Sequence, residues 1–410
     1  MNEYIFVLGQ ARELCQAEVK SVLAREKIDY KLIFSSLEIF HLSTSKPLDV
    51  EWMMQTLGGT IKIAEVAEVI KDGDEETPID KLTSLIQRTI RVGGGKITFG
   101  LSGYNGICFN VLKQWNKELK KKLEEQGLQV RFVLPSDGLA LSSVVVKEQK
   151  ILEIIIVGER EKFVLARTLV VQDFEDWGKR DFGRPAPDPH RGMLPPKVAR
   201  MMVNLSNSKF TLLDPFCGTG TILAEGLMLG AYVIGSDQSK EAVEKTRKNL
   251  EWLEKEWKMA SPRGSARGEN GKWRVFQADA THVSEKVSPE SIDAIVTEPY
   301  LGPSNVMLNS VQHPQRILKQ VQDDKIHNIV MGLDKLYIGC LRDWHKILKP
   351  EGVVVIALPS FKIGSQEFFV KKPIDIRENL GYTLVAGPYR YFRPQAIVIR
   401  NIYTLTKSKF

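Results

Sequence analysis

The chain has 410 residues, of which 43% are hydrophobic and 26% are charged, as in soluble globular proteins large enough for two hydrophobic cores. No apolar run approaches the roughly 20 residues that span a bilayer, and no secretory signal is evident in the first residues, so a protein that neither spans a membrane nor is secreted is expected. A net charge of +7 favours a polyanionic partner such as nucleic acid. Four scattered cysteines and six histidines without metal-ligand spacing predict a cytoplasmic protein with no disulfides and no metal.

The first 171 residues predict an α+β module of short elements. Apolar periodicity indicates strands over residues 4–8, 38–42, 64–69, 96–101, 131–134 and 151–157. It indicates helices over residues 11–25, 81–91 and 110–126. The third helix also carries five lysines, which suit a solvated face as well as an RNA surface. This alternation of short units predicts one α+β domain or two small ones in tandem.

Residues 172–200 are predicted to form a basic connector. The density of Pro, Gly and Arg over residues 175–197 predicts that neither helix nor central strand continues there, and a helix resumes over 197–205. Cationic residues alternate with Trp177, Phe182 and His190, which suits phosphate contacts combined with base stacking, while a solvated linker is the alternative. The predicted RNA contacts are Lys179, Arg180, Arg184, Arg191 and Lys197.

Residues 201–410 predict a second domain with longer alternating elements. Strands are expected over residues 211–215, 232–236, 273–277, 292–297 and 353–358, with helices over 221–229, 240–257 and 335–348. Two last strands, over 382–386 and 396–405, predict a hairpin at one edge, and residues 259–271 predict a surface loop. The pattern is typical of a doubly wound, mostly parallel sheet.

A glycine-containing turn in this domain predicts a ligand site. Residues 211–221 read T-L-L-D-P-F-C-G-T-G-T, which places Gly218 and Gly220 between a strand and a helix, where backbone amides can approach a ligand. The motif does not complete GxGxxG, and the carboxylate of Asp214 suits a cation better than a pyrophosphate. The ammonium and sulfonium groups of S-adenosylmethionine meet this requirement, whereas a tight turn without a ligand is the alternative.

Carboxylates also follow the next two strands. Asp237 lies about 20 residues after the glycines, where an acidic side chain can accept from ribose hydroxyls. Asp279 can accept from the adenine amine. Either residue alone could be a helix or turn cap. Because the carboxyl ends of parallel strands share one edge, the three aspartates together predict a cofactor site there.

A second motif, I-D-A-I-V-T-E-P-Y-L-G over residues 292–302, predicts a clamp for a planar amine. The lone pair of an exocyclic base amine is delocalised into the ring, so acceptors must hold its N–H groups with the nitrogen facing the methyl donor. The Glu298 carboxylate and the Pro299 carbonyl can do this, and Tyr300 can stack on a base withdrawn from its helix. The alternative is a turn with a surface Glu and a core Tyr.

D-P-F-C-G-T-G-T followed by T-E-P-Y-L-G resembles the THUMP-associated RNA guanosine N2-methyltransferases, especially the archaeal and eukaryal enzymes that act on tRNA position 10. The opening Y-I-F-V-L-G-Q-A-R-E-L-C-Q-A-E-V, the segment R-D-F-G-R-P-A-P-D-P-H-R-G-M-L-P-P-K and the closing hairpin extend this resemblance over most of the chain. It implies a class I, Rossmann-like methyltransferase domain at 201–410 behind an N-terminal RNA-binding module of THUMP type at 1–171. S-adenosylmethionine is the implied methyl donor and tRNA the implied partner.

The resemblance also assigns roles to individual residues. Glu298 stands where the family usually has Asp, Pro299 matches its first Pro, and Tyr300 takes its second Pro position. The implied cofactor-binding residues are Asp214, Phe216, Gly218, Gly220, Thr221, Asp237, Asp279 and Ala280. The predicted function is guanine-N2 methylation of tRNA. The alternatives are N6-adenine methylation of RNA or DNA and RNA binding by a catalytically weak homologue.

Overall fold

The computed structural model describes residues 2–71, 74–90, 96–136, 138–159, 161–188, 193–207, 211–258, 272–303, 323–393 and 396–408. The chain divides into two units, Met1–Asp176 and Trp177–Phe410, and their boundary falls inside the predicted connector. None of the described helices contains an apolar stretch of the length needed to traverse a bilayer. The surface loop predicted over residues 259–271 lies outside the described residues.

One eight-stranded mixed sheet forms the N-terminal unit, in the order β2-β3-β1-β4-β8-β7-β5-β6. Its strands are β1 (Asn2–Leu8), β2 (Tyr30–Ser35), β3 (Ile39–Thr44), β4 (Thr60–Lys71), β5 (Ile97–Tyr104), β6 (Val130–Phe132), β7 (Leu152–Glu159) and β8 (Lys162–Val171). Its helices are α1 (Arg12–Arg25), α2 (Val50–Thr56), α3 (Pro78–Thr89), α4 (Phe109–Glu125) and α5 (Ser143–Glu148). The α+β prediction is therefore confirmed, with one continuous sheet across the unit.

Local sequence explains the best-defined helices of this unit. At the start of α3, Thr77 and Asp80 form a reciprocal capping box, which satisfies two backbone N–H groups that the helix leaves unpaired. Helix α4 buries Leu112, Leu119 and Leu123 on one side, as its apolar periodicity predicts. The strands β2 and β8 and the helices α2 and α5 were not predicted from the sequence; the residues of β2 are mostly exposed, and it pairs with β3 at one edge of the sheet.

The C-terminal unit contains a second sheet, in the order β11-β10-β9-β12-β13-β16-β15, with β14 paired to β13. Its strands are β9 (Thr211–Asp214), β10 (Tyr232–Asp237), β11 (Trp273–Gln277), β12 (Ile292–Thr297), β13 (Leu348–Ile363), β14 (Gln366–Phe369), β15 (Tyr382–Tyr391) and β16 (Val398–Lys407). Strands β9 to β13 are parallel, whereas β16 is antiparallel to both β13 and β15. The doubly wound sheet with a terminal edge hairpin is confirmed.

Helices complete this unit. They are α6 (Phe174–Phe182), which begins just before the unit boundary, α7 (Pro196–Leu205), α8 (Thr221–Met228), α9 (Lys240–Glu256), α10 (Asp323–Ile347) and α11 (Lys372–Asp375). The main core packs α10 against the sheet, with Tyr337, Trp344 and Phe361 fully buried. This core supports the sheet edge at which β9, β10 and β12 end.

Helix α6 contradicts the prediction that no helix occurs within residues 175–197. Asp173 precedes the helix and accepts from the backbone N–H groups of Glu175 and Asp176, at 3.2 and 3.3 Å. Those bonds satisfy donors that a helix start leaves unpaired. The prolines of the segment come after Phe182, so they limit the helix at its C-terminal end only.

Candidate active site

The carboxyl ends of the parallel strands border a cavity of about 560 Å³, a size typical of small-molecule sites. Every residue predicted from the two motifs and the strand ends lines this cavity, except Gly220. The lining residues in question are Asp214, Phe216, Gly218, Thr221, Asp237, Asp279, Ala280, Glu298, Pro299 and Tyr300. Parallel strands bring them together because residues at equivalent strand ends meet at one edge of the sheet.

The two glycines of the turn have different functions. Gly218 and Gly220 both have positive φ, 54° and 84°, a conformation that residues with a Cβ rarely adopt. The N–H of Gly218 donates to Asp237 at 3.1 Å, so this glycine ties the turn to the next strand. Gly220 is the N-cap residue directly before α8, and a Cβ there would lie 3.0 Å from Cγ2 of Thr246. The structure therefore gives Gly220 a role in shaping the turn, not in lining the cavity.

Asp214 is a buried carboxylate at the end of β9, with an exposed fraction of 2%. It accepts from the Thr297 hydroxyl at 2.7 Å and from the Phe216 N–H at 3.1 Å. Burial, opposed by these two hydrogen bonds and reinforced by the nearby Asp237 and Glu298, raises the pKa of Asp214 to about 7. Within the described residues Asp214 forms no salt bridge, so in its ionised form it offers a negative charge to a cationic ligand.

Asp237 and Asp279 present carboxylates to the same cavity in different settings. Asp237 accepts from the N–H groups of Gly218 and Ser239, which fixes its side chain at the end of β10. Asp279 is exposed and accepts from the N–H and the hydroxyl of Thr281, both at 2.8 Å. These hydrogen bonds lower the pKa of Asp279, so it remains a carboxylate at neutral pH.

Glu298 lies directly after β12 and forms an ion pair with Arg400 of β16. Both side chains are largely buried, with exposed fractions of 15% for Glu298 and 10% for Arg400. Thr297, which directly precedes Glu298, donates a hydrogen bond from its hydroxyl to the Asp214 carboxylate. This hydrogen bond connects the two sequence motifs directly. Tyr300 is 52% exposed, and the buried hydroxyl of Tyr337 donates to its carbonyl at 2.5 Å.

Comparison with known proteins agrees with this geometry. A family profile described as RMKL-like, methyltransferase domain matches residues 184–305. The tRNA (guanine(10)-N2)-dimethyltransferase of Pyrococcus abyssi is 23% identical over 394 residues, which cover 94% of each chain. A Methanothermococcus thermolithotrophicus protein, named probable tRNA (guanine(10)-N2)-dimethyltransferase, is 34% identical over 118 residues, or 28% of this chain and 67% of that protein. The chain belongs to the family of these two proteins.

This methyltransferase shares its whole fold with a solved structure. The crystal structure of TrmN from Thermus thermophilus matches it with a TM-score of 0.54 and 14% identity, over 99% of each chain. The protein is thus a class I, S-adenosylmethionine-dependent RNA methyltransferase, and its predicted family and cofactor are confirmed. Among the described residues of the methyltransferase, no group of three His, Cys, Asp or Glu side chains could hold a metal ion.

The structure corrects part of the predicted RNA surface of the methyltransferase. Arg180 and Arg184 are buried, with exposed fractions of 5% and 6%. Arg180 donates to Glu225 at 2.6 Å, and Arg184 donates to the Thr221 hydroxyl at 2.8 Å. The buried Arg200 donates to the same Glu225 at 2.8 Å. These buried arginines bind side chains of α8 and do not face solvent. The prediction that Arg180 and Arg184 contact RNA is therefore wrong.

The other predicted RNA contacts are placed differently. Lys179 is half-exposed, forms an ion pair with Glu256 and lies 5.2 Å from the centre of the Trp257 ring. Lys197 is exposed, with its ammonium group 5.8 Å from the Trp177 ring. Arg191 lies outside the described residues. RNA contact by these three residues remains a prediction.

The burial of Glu225 leads to a stability prediction. Replacing Glu225 by Ala would leave Arg180 and Arg200 buried without their shared carboxylate, so we expect the free energy of unfolding to fall by about 3–5 kcal/mol. Replacing Glu256 by Ala breaks an exposed pair and should cost at most about 1 kcal/mol. Urea unfolding of the two variants would measure the difference. Equal losses would show that the buried arginines do not depend on Glu225.

Sequence reasoning missed several residues that line the cavity of the methyltransferase. Asp188, Met193 and Leu194 come from the segment before α7, and Asp188 forms an ion pair with Lys245 at 3.1 Å. Apolar Met193 and Leu194 directly before two prolines were a usable signal that this segment turns inward. Arg400 gave no local signal, because it sits in an edge hairpin strand about a hundred positions after the residue it contacts.

Proposed function

We propose that this protein transfers methyl groups from S-adenosylmethionine to the N2 amine of a guanosine in tRNA, at position 10. The observation that carries the proposal is that the Glu298-Pro299-Tyr300 segment and the Asp214 turn line one cavity. The names of its relatives, which specify guanine 10 and dimethylation, support both the base and the addition of a second methyl group. We also propose that the protein acts in the cytoplasm.

The cavity suits S-adenosylmethionine on the evidence of its own side chains. Asp214 is buried, has no salt bridge among the described residues, and so can accept the ammonium of the methionine part. Asp237 would accept from the ribose hydroxyls, and Asp279 from the adenine amine, at the ends of the next strands. When bound, the cofactor supplies an electrophilic methyl group.

Glu298 and Pro299 would hold the guanosine amine. A carboxylate oxygen and a backbone carbonyl can accept the two N–H bonds of the amine and direct its nitrogen at the methyl donor, in a direct in-line transfer. Arg400 pairs with Glu298, so the carboxylate is fixed before the base arrives. Tyr300, half-exposed at the cavity, would stack on the base once it leaves its helix.

The N-terminal unit is proposed to be the RNA-binding module of THUMP type. Its elements include the strands and helices predicted over residues 4–157, in the predicted order, with β2, α2, α5 and β8 in addition, and the lysine-rich α4 has a polar face. The protein is basic as a whole, with a net charge of +7, which favours contact with phosphates. Two-domain organisation would then combine tRNA capture in the first unit with chemistry in the second.

Nucleoside mass spectrometry tests the proposed reaction. We expect tRNA transcripts incubated with the protein and S-adenosylmethionine to yield N2-methylguanosine and then N2,N2-dimethylguanosine. A matched transcript with adenosine at position 10 should stay unmodified. Formation of N6-methyladenosine would replace our proposal by the adenine alternative, and absence of both methyl transfer and cofactor binding would favour an RNA-binding protein without catalysis.

Arg400 provides a further test of the clamp. Replacing Arg400 by Gln removes the group that fixes Glu298, so we expect kcat for tRNA methylation to fall about tenfold or more. Arg400→Lys keeps a positive charge and should recover part of this loss. Cofactor affinity, measured by calorimetry, should be unchanged in both variants. A full kcat in Arg400→Gln would show that the ion pair does not position the carboxylate.

A further inference from the structure

An exposed segment of aromatic and cationic residues ends strand β15. Residues 389–393 read Y-R-Y-F-R, a composition typical of surfaces that bind single-stranded nucleic acid. Phe392 is 54% exposed, so its ring is available for contact with a ligand. Arg393 is also exposed. No function is predicted for this segment by the two motifs at the strand ends.

Two contacts place the segment beside the cavity. The guanidinium of Arg393 donates to the carbonyl of Met193 at 3.5 Å, and Met193 lines the cavity. On the other side, Tyr391 pairs with Arg400 across the hairpin, and the Arg400 guanidinium lies 5.9 Å from the Tyr391 ring. Because Arg400 holds Glu298, the segment lies next to the clamp.

The two arginines of the segment differ in their partners. Arg390 donates to both oxygens of Glu367, at 2.7 and 2.9 Å, so its charge is compensated within the protein. Arg393 has no carboxylate partner in the part of the chain that the structure describes. An exposed guanidinium without a carboxylate can accept a phosphate as its counterion. Arg393 is therefore the cation of this segment that is suited to an external anion.

We propose that Phe392 and Arg393 bind the nucleotide next to the target guanosine, with Phe392 stacking on its base and Arg393 contacting its phosphate. A base that enters the cavity leaves its helical stack, so its neighbour loses a stacking partner, and an exposed aromatic ring beside the cavity can replace that partner. This inference rests on the proposed function for its RNA substrate, but it does not depend on which base is methylated. The proposal assigns RNA contact to the exposed Phe392 and Arg393 of the hairpin, whereas Arg180 and Arg184, for which RNA contact was predicted, are buried.

Binding measurements on the full-length protein test the two contacts separately. Fluorescence anisotropy with labelled, unmodified tRNA should give a dissociation constant about tenfold higher for Phe392→Leu than for the wild type. Phe392→Trp keeps a stacking surface and should bind nearly as the wild type does. Arg393→Gln should reduce the slope of log Kd against log salt by about one, whereas Arg393→Lys should restore it.

Matched controls come from exposed residues that do not line the cavity. Tyr232→Leu changes an aromatic residue that is 38% exposed at the first position of β10, and Arg342→Gln changes an exposed arginine on α10. Both should leave the tRNA dissociation constant and its salt slope unchanged. Unaltered affinity for S-adenosylhomocysteine in every variant would show that the methyltransferase unit remains folded.

Specific outcomes would overturn the inference. Equal binding by Phe392→Leu and Phe392→Trp would exclude stacking, and an unchanged salt slope in Arg393→Gln would exclude the phosphate contact. The same loss in the control variants would show a general surface effect instead of a local site. If tRNA binds as expected but no N2-methylguanosine forms, the proposed function fails while the docking site stands. If N2-methylguanosine forms and the Phe392 and Arg393 variants bind normally, only the docking site fails.

Discussion

Replacing Glu298 by Gln should lower kcat for tRNA methylation by about 10²–10³-fold, the loss expected when one preorganised electrostatic group is removed from a reaction centre. Glutamine has nearly the same size as glutamate but accepts hydrogen bonds more weakly, and it cannot form the ion pair with Arg400. The amine would then lose its strongest acceptor while the cavity keeps its shape. Steady-state kinetics with unmodified tRNA would measure the effect.

Two comparisons make the Glu298 experiment specific. Glu298→Asp keeps the carboxylate, in the form that the family usually has, but shortens its reach to Arg400, so an intermediate kcat is expected. Glu244→Gln removes a carboxylate that pairs with Arg247 on α9, outside the cavity, and should leave kcat unchanged. Wild-type kcat in Glu298→Gln would rule out the carboxylate as acceptor, and a weaker affinity for S-adenosylmethionine would assign Glu298 to the cofactor instead.

Replacing Asp214 by Asn should weaken the binding of S-adenosylmethionine about tenfold or more at pH 8. Asparagine can still accept from Thr297 and Phe216, so the turn keeps its hydrogen bonds and loses only the negative charge. The cofactor ammonium would then enter a buried site without its counterion, which is unfavourable. Calorimetric titration with S-adenosylmethionine would measure the loss, and equal affinity in both proteins would contradict our assignment of Asp214.

The same residue predicts how cofactor affinity depends on pH. Because burial raises the pKa of Asp214 to about 7, protons compete with the ammonium below that pH. Wild-type affinity should therefore fall roughly tenfold for each pH unit below 7, since binding then requires the release of one proton. Asp214→Asn cannot release this proton, so its affinity should be nearly constant from pH 5.5 to 8. A flat profile in the wild type would show that Asp214 stays ionised.

The raised pKa of Asp214 also predicts that the contribution of this residue to the stability of the cofactor-free protein falls as the pH rises. A folded-state pKa of about 7, above the ordinary value of 3.8, means that protonated Asp214 favours folding relative to the carboxylate. This contribution is complete below the ordinary pKa and is lost as the pH rises through about 7. Asp214→Asn should thus unfold at a higher temperature than the wild type at pH 8, with little difference at pH 4. Calorimetric melting curves at the two pH values would check the sign.

Sequence alone predicted the parallel sheet and the edge hairpin of the C-terminal unit. The alternation of apolar strands and amphipathic helices predicted the parallel sheet, and the carboxyl-end rule predicted that Asp214, Asp237, Asp279 and Glu298 would meet. These predictions succeed because they depend on local periodicity and on a property of all parallel sheets. The position of α6 was not predicted. Pro and Gly are frequent over residues 175–197 as a whole, but the prolines all follow Phe182, so nothing prevents a helix in the first part of the segment.

The ion-pair partners and the solvent exposure of individual side chains could be determined only from the tertiary structure. The sequence predicted a methyl-donor site and an amine clamp, because both are contiguous motifs at strand ends. It could not show that Arg180 pairs with Glu225 from 45 positions away, or that Arg400 pairs with Glu298 from 102 positions away. A cationic side chain has the same appearance in the sequence whether it faces solvent or a buried carboxylate. Only the packing of distant segments decides which arginines support the fold and which remain exposed for RNA.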